Sequence, residues 1–142
     1  MNLKNIKLFI VVILMSVTLS SCGQNASKKE VNESTQKESI SELISPKELN
    51  DKLGDIQLID VRTSFEFNRG HLKNAVNINF YDRNFYEQMS KFDKNKEIYI
   101  YCRSGNRSGS AASKLKNQGF TKIYDLQGGI INWSKNNLET VK

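Results

Sequence analysis

Cysteine and histidine are scarce in this chain of 142 residues, which contains only Cys22, Cys102 and one histidine, His71. Zinc sites in proteins use closely spaced sets of these ligands, and two cysteines so far apart cannot supply such a set. We therefore expect neither a bound metal nor a cofactor.

Long hydrophobic runs are absent too. The longest apolar run covers residues 8–19, about 12 residues, which is shorter than the ~20 that a membrane-spanning helix needs. Lys4 and Lys7 precede this run without an acidic residue, and small residues follow it. These features are typical of a secretory signal peptide, which we assign to residues 1–21. An uncleaved membrane anchor is the alternative interpretation.

The segment that ends the signal peptide, Leu19-Ser20-Ser21-Cys22-Gly23, resembles the lipobox of bacterial lipoproteins. The resemblance implies cleavage before Cys22 and attachment of a diacylglycerol to its thiol. Acyl chains on Cys22 would hold the protein on a membrane in the cell envelope, outside the cytoplasm. Gly23 is not the aspartate that retains lipoproteins in the inner membrane, which favours the outer membrane in a cell that has one. An unmodified Cys22 is the alternative.

Charge of either sign is not concentrated in the mature chain. Removing the signal peptide takes away two lysines and no acid, so the formal net charge falls from +6 to +4. No run of basic residues with interleaved aromatics occurs, and we expect no nucleic-acid partner. Residues 22–41 have almost no apolar side chain to bury, which predicts a disordered tether between the lipid and a domain at 42–142.

Within that domain, short apolar runs alternate with helical patterns. Ser45 before Pro46 predicts the start of a helix that ends near Leu53. Strands are predicted at 56–61, 75–78, 98–101 and 123–126, and further helices at 82–92, 108–118 and 129–136. This alternation indicates an α/β fold of three layers, with a mainly parallel central sheet flanked by helices. Sites in such folds lie at the carboxyl ends of strands, where Asp60 and Cys102 fall.

The loop that begins at Cys102 carries the clearest chemical signal. Backbone N–H groups between a strand end and a helix start converge on a common centre, and Gly105 allows the loop to close. Arg103 and Arg107 add positive charge, and residues 98–124 contain no acid. Such surroundings lower the pKa of a thiol and attract an anion. We therefore assign Cys102 as the nucleophile and the rest of the loop, Arg103, Ser104, Gly105, Asn106, Arg107 and Ser108, to substrate binding; a buried, inert cysteine is the alternative.

The loop 102–108 resembles the active-site loop of single-domain rhodaneses, the thiosulfate sulfurtransferases. The resemblance extends over residues 45–138. Asn74 and Asn79 depart from the family's usual glycine and proline in a connecting segment. The other matching motifs are Ser45-Pro46, Leu58-Ile59-Asp60-Val61-Arg62, Glu66-Phe67, Gly70-His71-Leu72, Ala75, Asn77-Ile78, Gly128-Gly129 and Trp133.

This resemblance implies a rhodanese-like fold and a two-step covalent mechanism. The Cys102 thiolate would attack the outer sulfur of thiosulfate, release sulfite and hold the sulfur as a persulfide among the N–H groups of residues 103–108. Arg103 and Arg107 would attract the dianion. A thiol, a protein thiol or cyanide would then take the sulfur.

Two other functions remain open. One is a persulfide carrier or redox-sensing module that binds a partner. The other is a cysteine-dependent phosphatase or arsenate reductase, but those enzymes need a Cys-x5-Arg loop, and the spacing from Cys102 to Arg107 is Cys-x4-Arg.

Several other polar and aromatic side chains have simpler structural interpretations. We expect Asp60 and Arg62 to form a salt bridge or a helix cap, and His71 to pack in a turn without a catalytic role. Tyr99, Tyr101 and Trp133 are expected in the core.

Overall fold

A parallel β-sheet lies between helices in the computed structural model, which describes residues 38–142. The strand order is β1-β5-β4-β2-β3, and every pairing is parallel. The predicted three-layer α/β fold is therefore confirmed. In chain order the elements are β1 (Ile40–Ile44), α1 (Pro46–Lys52), β2 (Gln57–Asp60), α2 (Ser64–Asn68), β3 (Val76–Asn77), α3 (Phe85–Met89), β4 (Glu97–Tyr101), α4 (Asn106–Asn117), β5 (Lys122–Leu126) and α5 (Gly129–Lys135).

Side chains that alternate along the strands separate the core into two halves, one on each face of the sheet. On one face, Ile98 and Ile100 of β4 pack with side chains of α3 and α4. On the other face, Tyr99 and Tyr101 pack with Trp133 of α5 and with α1. All three aromatic residues are buried, which confirms their predicted place in the core.

Capping boxes start the first two helices. The Ser45 side chain accepts a hydrogen bond from the Glu48 N–H, and the Glu48 carboxylate accepts one from the Ser45 N–H. This arrangement confirms the predicted start of α1. Thr63 and Glu66 form the same box at the start of α2. Helix α2 was not predicted from the sequence, because this five-residue helix buries no side chain and has no apolar periodicity.

The first strand begins within the segment that was predicted to be a tether, residues 22–41. Strand β1 starts at Ile40, whereas the predicted domain started at residue 42. Only Ile44 of this strand is buried, so hydrophobicity gives no sign of it, and it forms by backbone pairing with β5. The predicted signal peptide, Cys22 and the part of the predicted tether up to residue 37 lie outside the described residues. Within residues 38–142, no helix has the length and apolar character needed to cross a membrane.

Candidate active site at the Cys102 loop

Cys102 lies directly after β4, at the carboxyl edge of the sheet, and is a free cysteine that is 1% exposed. The Gly105 N–H donates a hydrogen bond to Sγ at 3.1 Å. The Ser108 hydroxyl donates another to Sγ at 3.5 Å. The thiol is therefore buried among hydrogen-bond donors, which distinguishes it from a cysteine that only fills space.

The backbone of the loop curls around the sulfur because of one glycine. Gly105 has φ +101°, a left-handed conformation that side chains other than glycine rarely adopt. Helix α4 begins at the next residue, Asn106, without a side-chain cap, so its first N–H groups remain directed toward the loop. Arg103, Ser104 and Asn106 are exposed on the outside of the loop, while Ser108 is buried beneath it.

The pKa of the Cys102 thiol is lowered, although burial alone would raise it. Hydrogen bonds from the Ser108 hydroxyl and from the backbone N–H groups of Ser108, Ser104 and Gly105 outweigh burial, because they stabilise the thiolate. The direction agrees with the sequence-based expectation. Of the surroundings on which that expectation rests, the N–H groups of the loop are among the causes of the shift, whereas the charges of the arginines are not among its main causes.

Arg107 is not the free positive charge that the sequence suggested. Its guanidinium forms a two-point salt bridge with Glu66 of α2, with Nη1 and Nη2 each 2.7 Å from a carboxylate oxygen. The sequence around the loop contains no acid, but the fold brings one from 41 residues away. Hydrogen bonding to Arg107 lowers the pKa of Glu66 to about 2. The pair fastens the start of α4 to α2.

Asp60 and Arg62 pair with each other rather than with the loop. Arg62 Nε lies 2.9 Å from Asp60 Oδ1, and both side chains are buried. Arg62 also donates to the Gly70 carbonyl oxygen at 2.8 Å, which ties the chain after α2 to the end of β2. The expected structural salt bridge is therefore present.

His71 packs as expected. Its ring stacks on Phe67 with centroids 3.7 Å apart, and its Nδ1 lies 3.1 Å from the Phe67 carbonyl oxygen.

The backbone at the start of α5 forms hydrogen bonds with the backbone of the Cys102 loop. Ile130 N–H donates to the Cys102 carbonyl oxygen at 3.0 Å, and Ile131 N–H donates to that of Arg103 at 3.2 Å. A Cβ added at Gly129 would lie 2.5 Å from the Cys102 carbonyl oxygen, and Gly129 has φ +60°. The sequence does not indicate that the Gly128-Gly129 pair lies at the site, because the contact joins segments that are distant in the chain.

Asp125 is a second residue that the sequence analysis did not assign to the site. It lies on β5, is 6% exposed and has a carboxyl oxygen, Oδ1, without a hydrogen-bond partner. Burial raises the pKa of this carboxyl to about 6, and the hydroxyl of its neighbour Ser108 opposes this rise. The sequence signal that could have indicated it is an acidic residue within the predicted strand 123–126.

A shallow cavity of about 220 Å³ lies beside the loop, and Arg103 and Arg69 line it together with Ile130 and Ile131. Within residues 38–142, Arg103 forms no ion pair, so its charge is available to an anion approaching the loop. In the same range, no group of three or more His, Cys, Asp or Glu side chains could hold a metal ion.

Curated proteins similar to this chain include sulfurtransferases. The Sulfurtransferase of Allochromatium vinosum is 36% identical over 87 residues, which cover 61% of this chain and 79% of that protein. Thiosulfate sulfurtransferase 16, chloroplastic, of Arabidopsis thaliana is 38% identical over 92 residues, which cover 58% and 77%. The tRNA uridine(34) hydroxylase of Aster yellows witches'-broom phytoplasma is 40% identical over 85 residues, but this chain spans only 28% of its length.

Solved structures with this fold include a rhodanese-related protein from Thermoplasma volcanium, with 28% identity and a TM-score of 0.64 over 70% of this chain and 97% of that one. A rhodanese-like domain protein from Staphylococcus aureus has 30% identity and a TM-score of 0.59 over 65% and 90%. The family described as the Rhodanese-like domain matches residues 45–136, which include the Cys102 loop, the Arg107–Glu66 salt bridge and the Gly128-Gly129 pair. The chain therefore belongs to the rhodanese-like domain family.

Proposed function

We propose that this protein is a sulfurtransferase that moves a sulfane sulfur from thiosulfate, or a similar sulfur anion, to a thiol or cyanide. The observation that carries the proposal is the ring of donors around Cys102 Sγ, where Gly105 N–H and the Ser108 hydroxyl stabilise a thiolate. The relatives named as sulfurtransferases support the same chemistry.

In the first half of the reaction, the Cys102 thiolate attacks the outer sulfur of thiosulfate. The S–S bond of thiosulfate breaks, sulfite leaves with the bonding electron pair, and the negative charge moves to the terminal sulfur of a Cys102 persulfide. Thiosulfate is a dianion and is repelled by the Cys102 thiolate. The positive charge of the exposed Arg103 beside the loop reduces this repulsion. The loop's N–H groups then hold the terminal sulfur.

In the second half, an acceptor thiolate or cyanide attacks the terminal sulfur and leaves with it, which restores the Cys102 thiolate. No proton is gained or lost when both partners react as anions. The site therefore needs no general base, in accordance with the packing role of His71. The enzyme alternates between thiolate and persulfide forms, which predicts ping-pong kinetics.

We also propose that a lipid on Cys22 anchors the protein outside the cytoplasm, in the outer membrane where a cell has one. The lipobox resemblance supports this proposal. In that setting Cys102 is the only free thiol of the mature chain and has no partner for an internal disulfide.

The phosphatase alternative is less compatible with the loop. A tetrahedral phosphoryl group needs a larger ring of N–H groups than one sulfur atom, and the spacing here is Cys-x4-Arg. The arginine that closes the spacing, Arg107, is also held by Glu66.

The test is the thiosulfate:cyanide sulfurtransferase activity of the mature protein. Cys102→Ser should abolish thiocyanate formation, whereas Cys22→Ser, which removes the other cysteine, should leave it unchanged. The proposal fails if reduced wild-type protein forms no thiocyanate. Hydrolysis of aryl phosphates that disappears in Cys102→Ser would instead favour the phosphatase.

A further inference from the structure

Asp125 occupies a position in the sheet where an apolar side chain is expected. Alternation along β5 places it on the same face as Ile123, which belongs to the core beneath α4. Its register partners are Ile100 on β4 and Leu43 on β1. A carboxyl group therefore continues a row of aliphatic residues, at the end of the sheet where Cys102 lies.

The surroundings of Asp125 do not compensate for its burial. The side chain is 6% exposed, and Oδ1 has no hydrogen-bond partner. Burial raises the pKa of the carboxyl to about 6, and the Ser108 hydroxyl opposes this rise. A buried carboxyl without a full set of partners is unfavourable for folding, and buried groups with perturbed pKa values are concentrated at functional sites.

No charged group faces this carboxyl from the elements packed against it. On the neighbouring strands β1 and β4, the residues beside Asp125 are Leu43 and Ile100. Helix α4 presents Gly109, where an added Cβ would lie 3.7 Å from Oδ2, and Ser108. Arg107 of the same helix is bound to Glu66. Ser108 links Asp125 to Cys102, because its hydroxyl donates to Sγ and also acts on the pKa of the Asp125 carboxyl.

The Ser108 hydroxyl has one proton and more than one acceptor for it. In the structure it donates to Cys102 Sγ at 3.5 Å and to the Gly105 carbonyl oxygen at 3.2 Å. An ionised Asp125 carboxylate is a further acceptor and competes with the sulfur for that proton. A protonated Asp125 is a donor to the Ser108 oxygen, which leaves the Ser108 proton for the thiolate.

We propose that Asp125 is a positioning residue for Cys102 that acts through the Ser108 hydroxyl, so that its protonation directs the Ser108 proton onto the sulfur. The proposal rests on the proposed function only in taking Cys102 as the nucleophile. Asp125 touches neither substrate nor sulfur, and its effect is on the stability of the thiolate.

The test is the rate at which iodoacetamide alkylates Cys102 as a function of pH, in the mature protein carrying Cys22→Ser so that one thiol reacts. Near pH 7 the Asp125 carboxyl is mainly ionised and competes for the Ser108 proton. The amide of Asp125→Asn is uncharged, is a weaker acceptor and can donate to the Ser108 oxygen through its NH2 group. Asp125→Asn should therefore raise the alkylation rate about threefold, equivalent to half a pKa unit of the thiol. Near pH 5 the carboxyl of the parent protein is mainly protonated, and the two rates should agree.

A double-mutant cycle separates this role from a purely structural one. Ser108→Ala should slow alkylation, and adding Asp125→Asn to it should then have no further effect at either pH. The proposal is overturned if Asp125→Asn leaves the pH profile unchanged, or if it acts equally with and without Ser108. If Asp125→Asn does not fold, Asp125→Leu, which suits the aliphatic row, should give the same rise at pH 7.

Because alkylation requires no sulfur donor, its outcome is independent of turnover. A protein that follows the predicted alkylation profile but forms no thiocyanate would contradict the proposed function and leave the role of Asp125 intact.

Discussion

Two carboxyl side chains near Cys102 titrate on opposite sides of the usual range for acids. Hydrogen bonds from Arg107 lower the pKa of Glu66 to about 2, whereas burial raises that of Asp125 to about 6. Glu66 therefore favours the folded state when it is ionised, and Asp125 favours it when it is protonated. Both effects arise from contacts that the fold creates, and neither residue has a chemically distinctive neighbour in the sequence.

The effect of Asp125 on stability has a defined sign. Its pKa of about 6 in the folded protein exceeds that of an unfolded aspartate, ~3.9, so wild-type stability falls as pH rises between these values and is then constant. Asp125→Asn lacks this loss. We therefore compare the free energy of unfolding of Asp125→Asn minus that of wild type at two pH values. This difference should be larger at pH 7.5 than at pH 3.5, by on the order of 2 kcal/mol.

Urea unfolding at the two pH values measures this difference. The exposed Asp55→Asn serves as the control and should show much less pH dependence relative to wild type. If the difference in unfolding free energy between Asp125→Asn and wild type is the same at both pH values, burial does not raise the pKa of this carboxyl.

Neighbouring elements hold the loop after β4 on two sides. The salt bridge from α2 reaches Arg107, and the start of α5 donates backbone hydrogen bonds to Cys102 and Arg103. Helix α5 lies so close to the loop at Gly129 that a side chain there would clash with the loop backbone. The geometry of the loop is therefore set as much by α5 as by its own sequence.

Gly129→Ala should displace the loop, because the added Cβ would lie 2.5 Å from the Cys102 carbonyl oxygen and φ is +60°. We expect a loss of stability of at least ~2 kcal/mol and a large loss of sulfurtransferase activity, with slower alkylation of Cys102 in the folded fraction. Gly54→Ala is the matched control, since nothing lies within 4 Å of its added Cβ. Equal activity and stability in the two variants would contradict the supporting role of α5.

The sequence predicted those elements that carry strong local signals. The Ser45-Pro46 start of α1 and the aliphatic and aromatic run of β4 are examples. It missed β1 and α2, because exposed side chains give these short elements no apolar period and their formation depends on pairing and capping. Likewise it identified Cys102 and its loop but not the Glu66–Arg107 pair, since that contact joins residues far apart in the chain.

At the scale of the whole molecule, the proposed anchor and the described domain are separate features of the sequence. The described domain carries Cys102, and the predicted lipid attachment site, Cys22, precedes it by a polar tether. The proposed anchor would determine which compartment supplies sulfur donors and acceptors, while the proposed chemistry depends on the domain alone.

In a bacterial host, Cys22→Ser should prevent labelling of the protein with radioactive palmitate and release it from the membrane fraction. Cys102→Ser should leave both properties unchanged, because it alters only the domain. Labelling that persists without Cys22 would exclude the proposed lipidation.

The central claim is that Cys102 carries sulfur as a persulfide, and intact-protein mass spectrometry tests it most directly. After reduction, removal of the reductant and incubation with thiosulfate, the mature protein should gain the mass of one sulfur atom, about 32 Da, as expected for a persulfide. The added mass should map to the peptide containing Cys102, be lost on addition of cyanide and be absent from Cys102→Ser. A reduced wild-type protein that gains no sulfur, or gains it at a site other than Cys102, would contradict the account.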